Sequence, residues 1–124
     1  TEIKTVLEGV NKVYRGFKKV CVFQPHRISR LKDLKKEFSF AFKDADVVVL
    51  CPIFSAGEKI KLGFNYTKFA KEIIQNSKVK LFLVNDNYQL AKFIKNNIYG
   101  KQLVIGMGAG TISNWMRKLP ELMK

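Results

Sequence analysis

Short runs of aliphatic and β-branched residues alternate with stripes of helical period from one end of this chain to the other. The runs are Val20 to Phe23, Val47 to Leu50, Leu81 to Val84 and Leu103 to Ile105. Around them, apolar residues recur at three- and four-residue steps. The first stripe is Ile3, Val6, Leu7, Val10, Val13 and Tyr14, and the second Leu31, Leu34, Phe38, Ala41 and Phe42. Phe69, Ala70, Ile73 and Ile74 make a third, Leu90, Ala91, Ile94 and Ile98 a fourth, and Ile112, Trp115, Met116, Leu119 and Leu122 a fifth. A continuous apolar run buries both faces of its strand, and such strands belong to parallel sheets. Parallel neighbours need a crossover, which a helix supplies. The order α-β-α-β-α-β-α-β-α therefore predicts an α/β fold: a three-layer Rossmann-like domain with a mostly parallel sheet flanked by helices. All five stripes are read as core. Asp86, with Gln89 three residues on, predicts the amino cap of the fourth helix.

Size and hydropathy fit one such unit. The chain has 124 residues, 47% of them hydrophobic, enough for one domain with one core. Its longest apolar run, Val47 to Phe54, is broken by Pro52 and falls far short of the roughly 20 residues a membrane span needs. Thr1 is not a methionine and no leader follows it, so the start reads as a boundary inside a longer protein. Cys21 and Cys51 sit in apolar runs without a Cys or His at metal spacing, so they read as buried free thiols of a reducing compartment. No metal site is expected.

The formal net charge of +13 invites a nucleic-acid reading. Only Arg15, Arg27, Arg30 and Arg117 are arginines, however, and the many lysines are scattered with no run longer than the pairs Lys18-Lys19 and Lys35-Lys36. That pattern reads as a solvated surface. Arg15-Gly16-Phe17 and Val20 match the start of an RNA-recognition signature, but Lys19 and Val22 stand where base-stacking aromatics belong. No nucleic acid and no membrane is expected as a partner.

In a parallel sheet, ligands bind beyond the carboxyl ends of the strands. Residues 24–30, 52–65, 85–87 and 106–111 fall there. Ser29 can cap the second helix, which puts Arg27 just outside it and Arg30 in its first turn. Cations there oppose the helix dipole by roughly 0.3–1 kcal/mol each. Two of the four arginines placed against the dipole point to an anionic ligand, since arginine grips a carboxylate or phosphate with two donors. His26 is the chain's only histidine. Gly106-Met107-Gly108-Ala109-Gly110 resembles a dinucleotide fingerprint, but Thr111 stands at the third glycine position and no strand follows to carry an acidic ribose ligand. Glu58, in Ser55-Ala56-Gly57-Glu58, completes the edge. No P-loop, zinc-protease or nucleophile-elbow motif is present, so no catalytic residue is assigned in this domain alone.

These segments together resemble the C-terminal domain of the UDP-N-acetylmuramate–L-alanine ligases, of the Mur ligase family. Phe23-Gln24-Pro25-His26-Arg27-Ile28-Ser29-Arg30 carries the resemblance most specifically, with isoleucine at 28 where the family has tyrosine. Ala45-Asp46-Val47, Ala56-Gly57-Glu58 and Gly108-Ala109-Gly110 follow in family order. Thr1-Glu2-Ile3 is similar to the end of the family's histidine-histidine-proline-threonine-glutamate segment. The resemblance covers the whole chain, residues 1–124. It implies a bacterial, cytoplasmic enzyme of peptidoglycan synthesis with three domains: one for the UDP-sugar, a central ATPase, and this one for the amino acid. ATP and Mg2+ would serve the full-length enzyme, with none bound by this domain alone. The muramoyl carboxylate would be phosphorylated, and the amino group of L-alanine would then attack the acyl phosphate. Arg27 and Arg30 would hold the alanine carboxylate with His26 lining the pocket. Glu58, Gly108 and Gly110 would stand at its edge, the glycine turn packing the last helix rather than binding nucleotide. Alone, the domain would be inactive. The alternatives are the related ligase that recycles a tripeptide onto the same sugar, and a basic nucleic-acid-binding α/β module.

Overall fold

The computed structural model describes residues 2–24, 37, 39–52, 66–97, 100–108 and 112–123. Within them lie helices α1 (Glu2–Val13), α2 (Tyr66–Ser77), α3 (Asn87–Asn97) and α4 (Ile112–Leu122). The strands are β1 (Lys18–Gln24), β2 (Val47–Leu50), β3 (Lys80–Leu83) and β4 (Gln102–Gly108). Between β1 and β2, Glu37, Ser39 and Phe40 are helical, and 41–44 form a turn. Leu31, Leu34, Phe38 and Ile98 lie outside the described residues.

All three strand pairings are parallel, in the order β3-β2-β1-β4. The central strands explain the unbroken apolar runs. Residues 20–22 and 48–50 are inaccessible to solvent. Alternate residues point to opposite faces. Cys21, Phe23, Val48 and Leu50 pack with Ile3 and Leu7 of α1, with Phe42, and with Phe69 and Ile73 of α2. Val20, Val22, Val47 and Val49 pack on the other face with Leu90 and Ile94 of α3 and Ile112 and Leu119 of α4. Each such large side chain contributes roughly 1.5–3 kcal/mol by leaving water. The sheet is thus sandwiched between helices, as the alternation predicts.

Specific polar contacts hold the ends. The Lys19 N–H donates to the Asp46 carboxylate at 2.7 Å, and the Asp46 N–H donates to the Lys19 carbonyl at 2.9 Å, which pins the start of the β1–β2 ladder. The buried Ser77 hydroxyl donates to the Ser39 carbonyl at 2.6 Å and accepts from the Phe42 N–H at 3.2 Å, tying the 39–42 turn to the end of α2.

Some apolar residues read as core are exposed. Val6, Val13 and Tyr14 in and after α1, and Ile74 in α2, stand at or above two-fifths accessibility. Only one line of each helix reaches the sheet, and these residues flank it. Phe82 and Leu83 of β3 are exposed for a different reason: β3 is an edge strand, so its run is not enclosed as those of β1 and β2 are. Cys21 and Cys51 are both buried thiols outside any disulfide, in the cores of opposite faces.

Candidate functional site

The strand order sets one reversal of winding among the described strands. From β1 the chain steps outward to β2 and then β3, and β4 returns to the other side of β1. The direction of winding reverses between β1 and β4, and crevices at such a reversal are where open parallel sheets bind ligands. Gln24 ends β1 and Gly108 ends β4, and the two are paired in register. The strand ends Gln24 and Gly108, separated by most of the sequence, therefore stand side by side.

Backbone proximity at this point is tight. Gly108 has φ +127°, and a Cβ on it would collide with the Gln24 carbonyl oxygen. Glycine alone supplies both the dihedral and the missing side chain. Gly106, two residues earlier, meets α4: an added Cβ would lie 2.6 Å from Met116 Cγ. The packing role expected of the Gly108–Gly110 turn thus falls to Gly106 among the described residues, while Gly108 abuts β1.

The end of β2 joins the same point. The Cys51 N–H donates to the Phe23 carbonyl at 2.9 Å, the last rung between β1 and β2. The next rung would need an N–H from residue 25, which is proline and has none. Instead the Gln24 side chain, itself 3% exposed, donates from Nε2 to the Pro52 carbonyl at 3.2 Å. Pro52 likewise lacks the N–H that would extend the ladder toward β3 beyond the bond from Val84 N–H to the Leu50 carbonyl. Among the described residues the ladders end at these bonds, and the Gln24 amide adds one more link between β1 and β2.

Residues 85–87 stand apart, between the outer strand β3 and the start of α3. Asp86 Oδ1 accepts the Gln89 N–H at 2.8 Å, and Gln89 Oε1 accepts the Asn85 N–H at 2.8 Å. This is the expected cap of α3, with the return bond one residue earlier than in the usual capping box. Its groups are engaged in ending β3 and starting α3.

His26, Arg27, Arg30, Glu58 and Gly110 lie outside the described residues. Gln24, which the sequence reading quoted without a role, is the residue it missed. Its signal is a long amide caught between an apolar strand and a proline. Among the described residues no group of three or more His, Cys, Asp and Glu is placed to hold a metal ion, and no described helix is long and apolar enough to cross a membrane. An open apolar hollow of about 420 Å³, lined by Met116, Leu119, Pro120 and Met123, lies on the later turns of α4, whereas β4 leads into its first turn.

No family model matches the sequence. Curated relatives do. A UDP-N-acetylmuramate–L-alanine ligase of Pelagibacter ubique is 70% identical over 99% of this chain. Another, from Paramagnetospirillum magneticum, is 33% identical over 96% of it. The chain spans about a quarter of the length of these relatives (26% and 25%). Among solved structures, a domain assigned to a UDP-N-acetylmuramate:L-alanyl-gamma-D-glutamyl-diaminopimelate ligase of Haemophilus ducreyi superposes with a TM-score of 0.67. That match covers 99% of this chain and 82% of the other at 15% identity, a likeness of fold.

Proposed function

This chain belongs to the Mur ligase family, and from that premise we propose that it is the C-terminal, amino-acid-binding domain of a UDP-N-acetylmuramate–L-alanine ligase. The observation that carries the reading is the 70% identity over 99% of the chain to a ligase of that name. The strand order supports it, because the segment bearing His26, Arg27 and Arg30 follows β1 at the reversal of winding. In the proposal, Arg27 and Arg30 bind the carboxylate of L-alanine and His26 lines the same pocket. That leaves the amino group of alanine free to attack the muramoyl acyl phosphate, displacing phosphate. Glu58 and Gly110 stand at the pocket edge. ATP and Mg2+ belong to the other domains of the same cytoplasmic, bacterial enzyme, and their contribution is the phosphoryl group that activates the carboxylate. The domain delivers the amino acid when the enzyme closes and does not turn over alone.

The test is Arg27→Ala in the full-length ligase. Loss of a charge-assisted contact, worth about 1.5–3 kcal/mol, raises the alanine KM roughly 10- to 150-fold. The KM for ATP stays unchanged. An unaltered alanine dependence overturns the assignment of Arg27. Preference for a tripeptide over alanine as the attacking amine would move the chain to the recycling ligase, and salt-sensitive binding to a duplex would favour the nucleic-acid module.

A further inference from the structure

We infer that Gln24 is a positioning residue of the amino-acid site: its buried amide locks together the strand ends from which the binding segments leave. The inference rests on the proposed function for its catalytic consequence and on the sheet geometry for its mechanism.

Three strand ends meet at this residue. Its backbone pairs with Gly108 at the end of β4, so closely that no side chain fits at 108. Its side-chain amide holds the Pro52 carbonyl at the end of β2. Its own carbonyl group joins directly to Pro25, which opens the segment carrying His26 and Arg27. Residues 25 and 52 are both prolines without an N–H to donate, and among the described residues the ladders end at Cys51 and Val84. The Gln24 side chain supplies the one further bond between β1 and β2 that the described residues show beyond that last rung. The bond is part-buried, and removing the donor takes from the Pro52 carbonyl the partner it has here. The segment that follows β2 contains Glu58. One amide therefore sets the spacing between the origin of the arginine segment and the origin of the glutamate segment. A misplacement of an ångström at such a site is enough to lower its affinity severalfold.

The experiment uses the full-length ligase with Gln24→Met, which keeps length and apolar bulk but has no donor, and Gln24→Asn, which keeps the amide but shortens the reach. Two readouts are taken. Hydrogen exchange of the Cys51 amide, on the last rung, reports the clamp directly. Steady-state kinetics report alanine KM, ATP KM and kcat. The expected result for Gln24→Met is Cys51 exchange about tenfold faster and an alanine KM raised roughly 5- to 10-fold, with ATP KM unchanged. Gln24→Glu, isosteric but with acceptors facing a carbonyl, matches or exceeds Gln24→Met. Unchanged Cys51 exchange overturns the clamp. Faster exchange with an unchanged alanine KM, while Arg27→Ala raises it, overturns the positioning role and leaves the proposed function standing. A raised alanine KM in Gln24→Met with a neutral Arg27→Ala keeps the positioning role and removes Arg27 from the site. If both variants are neutral in alanine KM, both readings fall.

Discussion

Gly108 stands at φ +127° with the Gln24 carbonyl occupying the space of a Cβ. A substitution there meets two penalties at once, a dihedral that L-residues rarely adopt and a collision with backbone that cannot rotate away. Strain of this kind costs about 1–3 kcal/mol before the collision is added. Gly108→Ala should lower the free energy of unfolding by roughly 2–4 kcal/mol in urea titration. Gly106→Ala should lower it by less, since its obstacle is the Met116 side chain, which is flexible and half-exposed. Equal losses would show that the carbonyl contact is not what constrains position 108. Sequence reading found the glycine turn and named Gly108, but it could not tell which glycine faces a helix and which a strand. That difference depends on the partner across the sheet, and no local pattern encodes it.

Most elements were legible because their chemistry is local. Asp86 and Gln89 were read as a cap, and both bonds of the cap are present. Removing either partner should cost α3 about 1 kcal/mol. Because the two bonds order the same turn, Asp86→Ala and Gln89→Ala should be less than additive. A double-mutant cycle on thermal unfolding measures this, and full additivity would mean the bonds act independently. The run Val47 to Leu50 was read at the bounds β2 has. Burial was read less well. Leu81 to Val84 looked as enclosed as Val47 to Leu50, yet β3 is an edge strand with Phe82 and Leu83 exposed. An apolar run indicates an affinity for cover without saying whether a neighbour supplies it. The helical stripes behaved alike: Ile3 and Leu7 reached the core, and Val6 and Val13 did not.

Across the whole molecule, the two helical layers seal two thiols into opposite faces. Burial, with a smaller contribution from Cys51, pushes Cys21 up to about 12, and burial pushes Cys51 up to about 12, from an ordinary 9.0. Both thiols therefore stay protonated in the folded chain at a pH where an unfolded chain has lost those protons. Their stabilising effect is complete below pH 9.0 and is lost as pH rises toward about 12. Each thiol removes at most about 1.4 kcal/mol per pH unit across that window. Cys21→Ala should flatten the decline in unfolding free energy between roughly pH 9 and 11, whatever it does to stability at neutral pH. An unchanged slope would mean that Cys21 ionises in the folded state as readily as in the unfolded one. The adjacency of β4 to β1, by contrast, came from the fold. By itself the sequence determined the alternation of strands and helices, the buried centre of the sheet and the cap of α3. These follow from periodicity and from the donors and charges of neighbouring residues. Only the tertiary structure decided the order β3-β2-β1-β4, the close pairing of Gln24 with Gly108, and the bridge from Gln24 to Pro52. Which side of β1 a returning strand takes is set by how the helices pack on the two faces, a comparison among distant residues that no stretch of sequence contains.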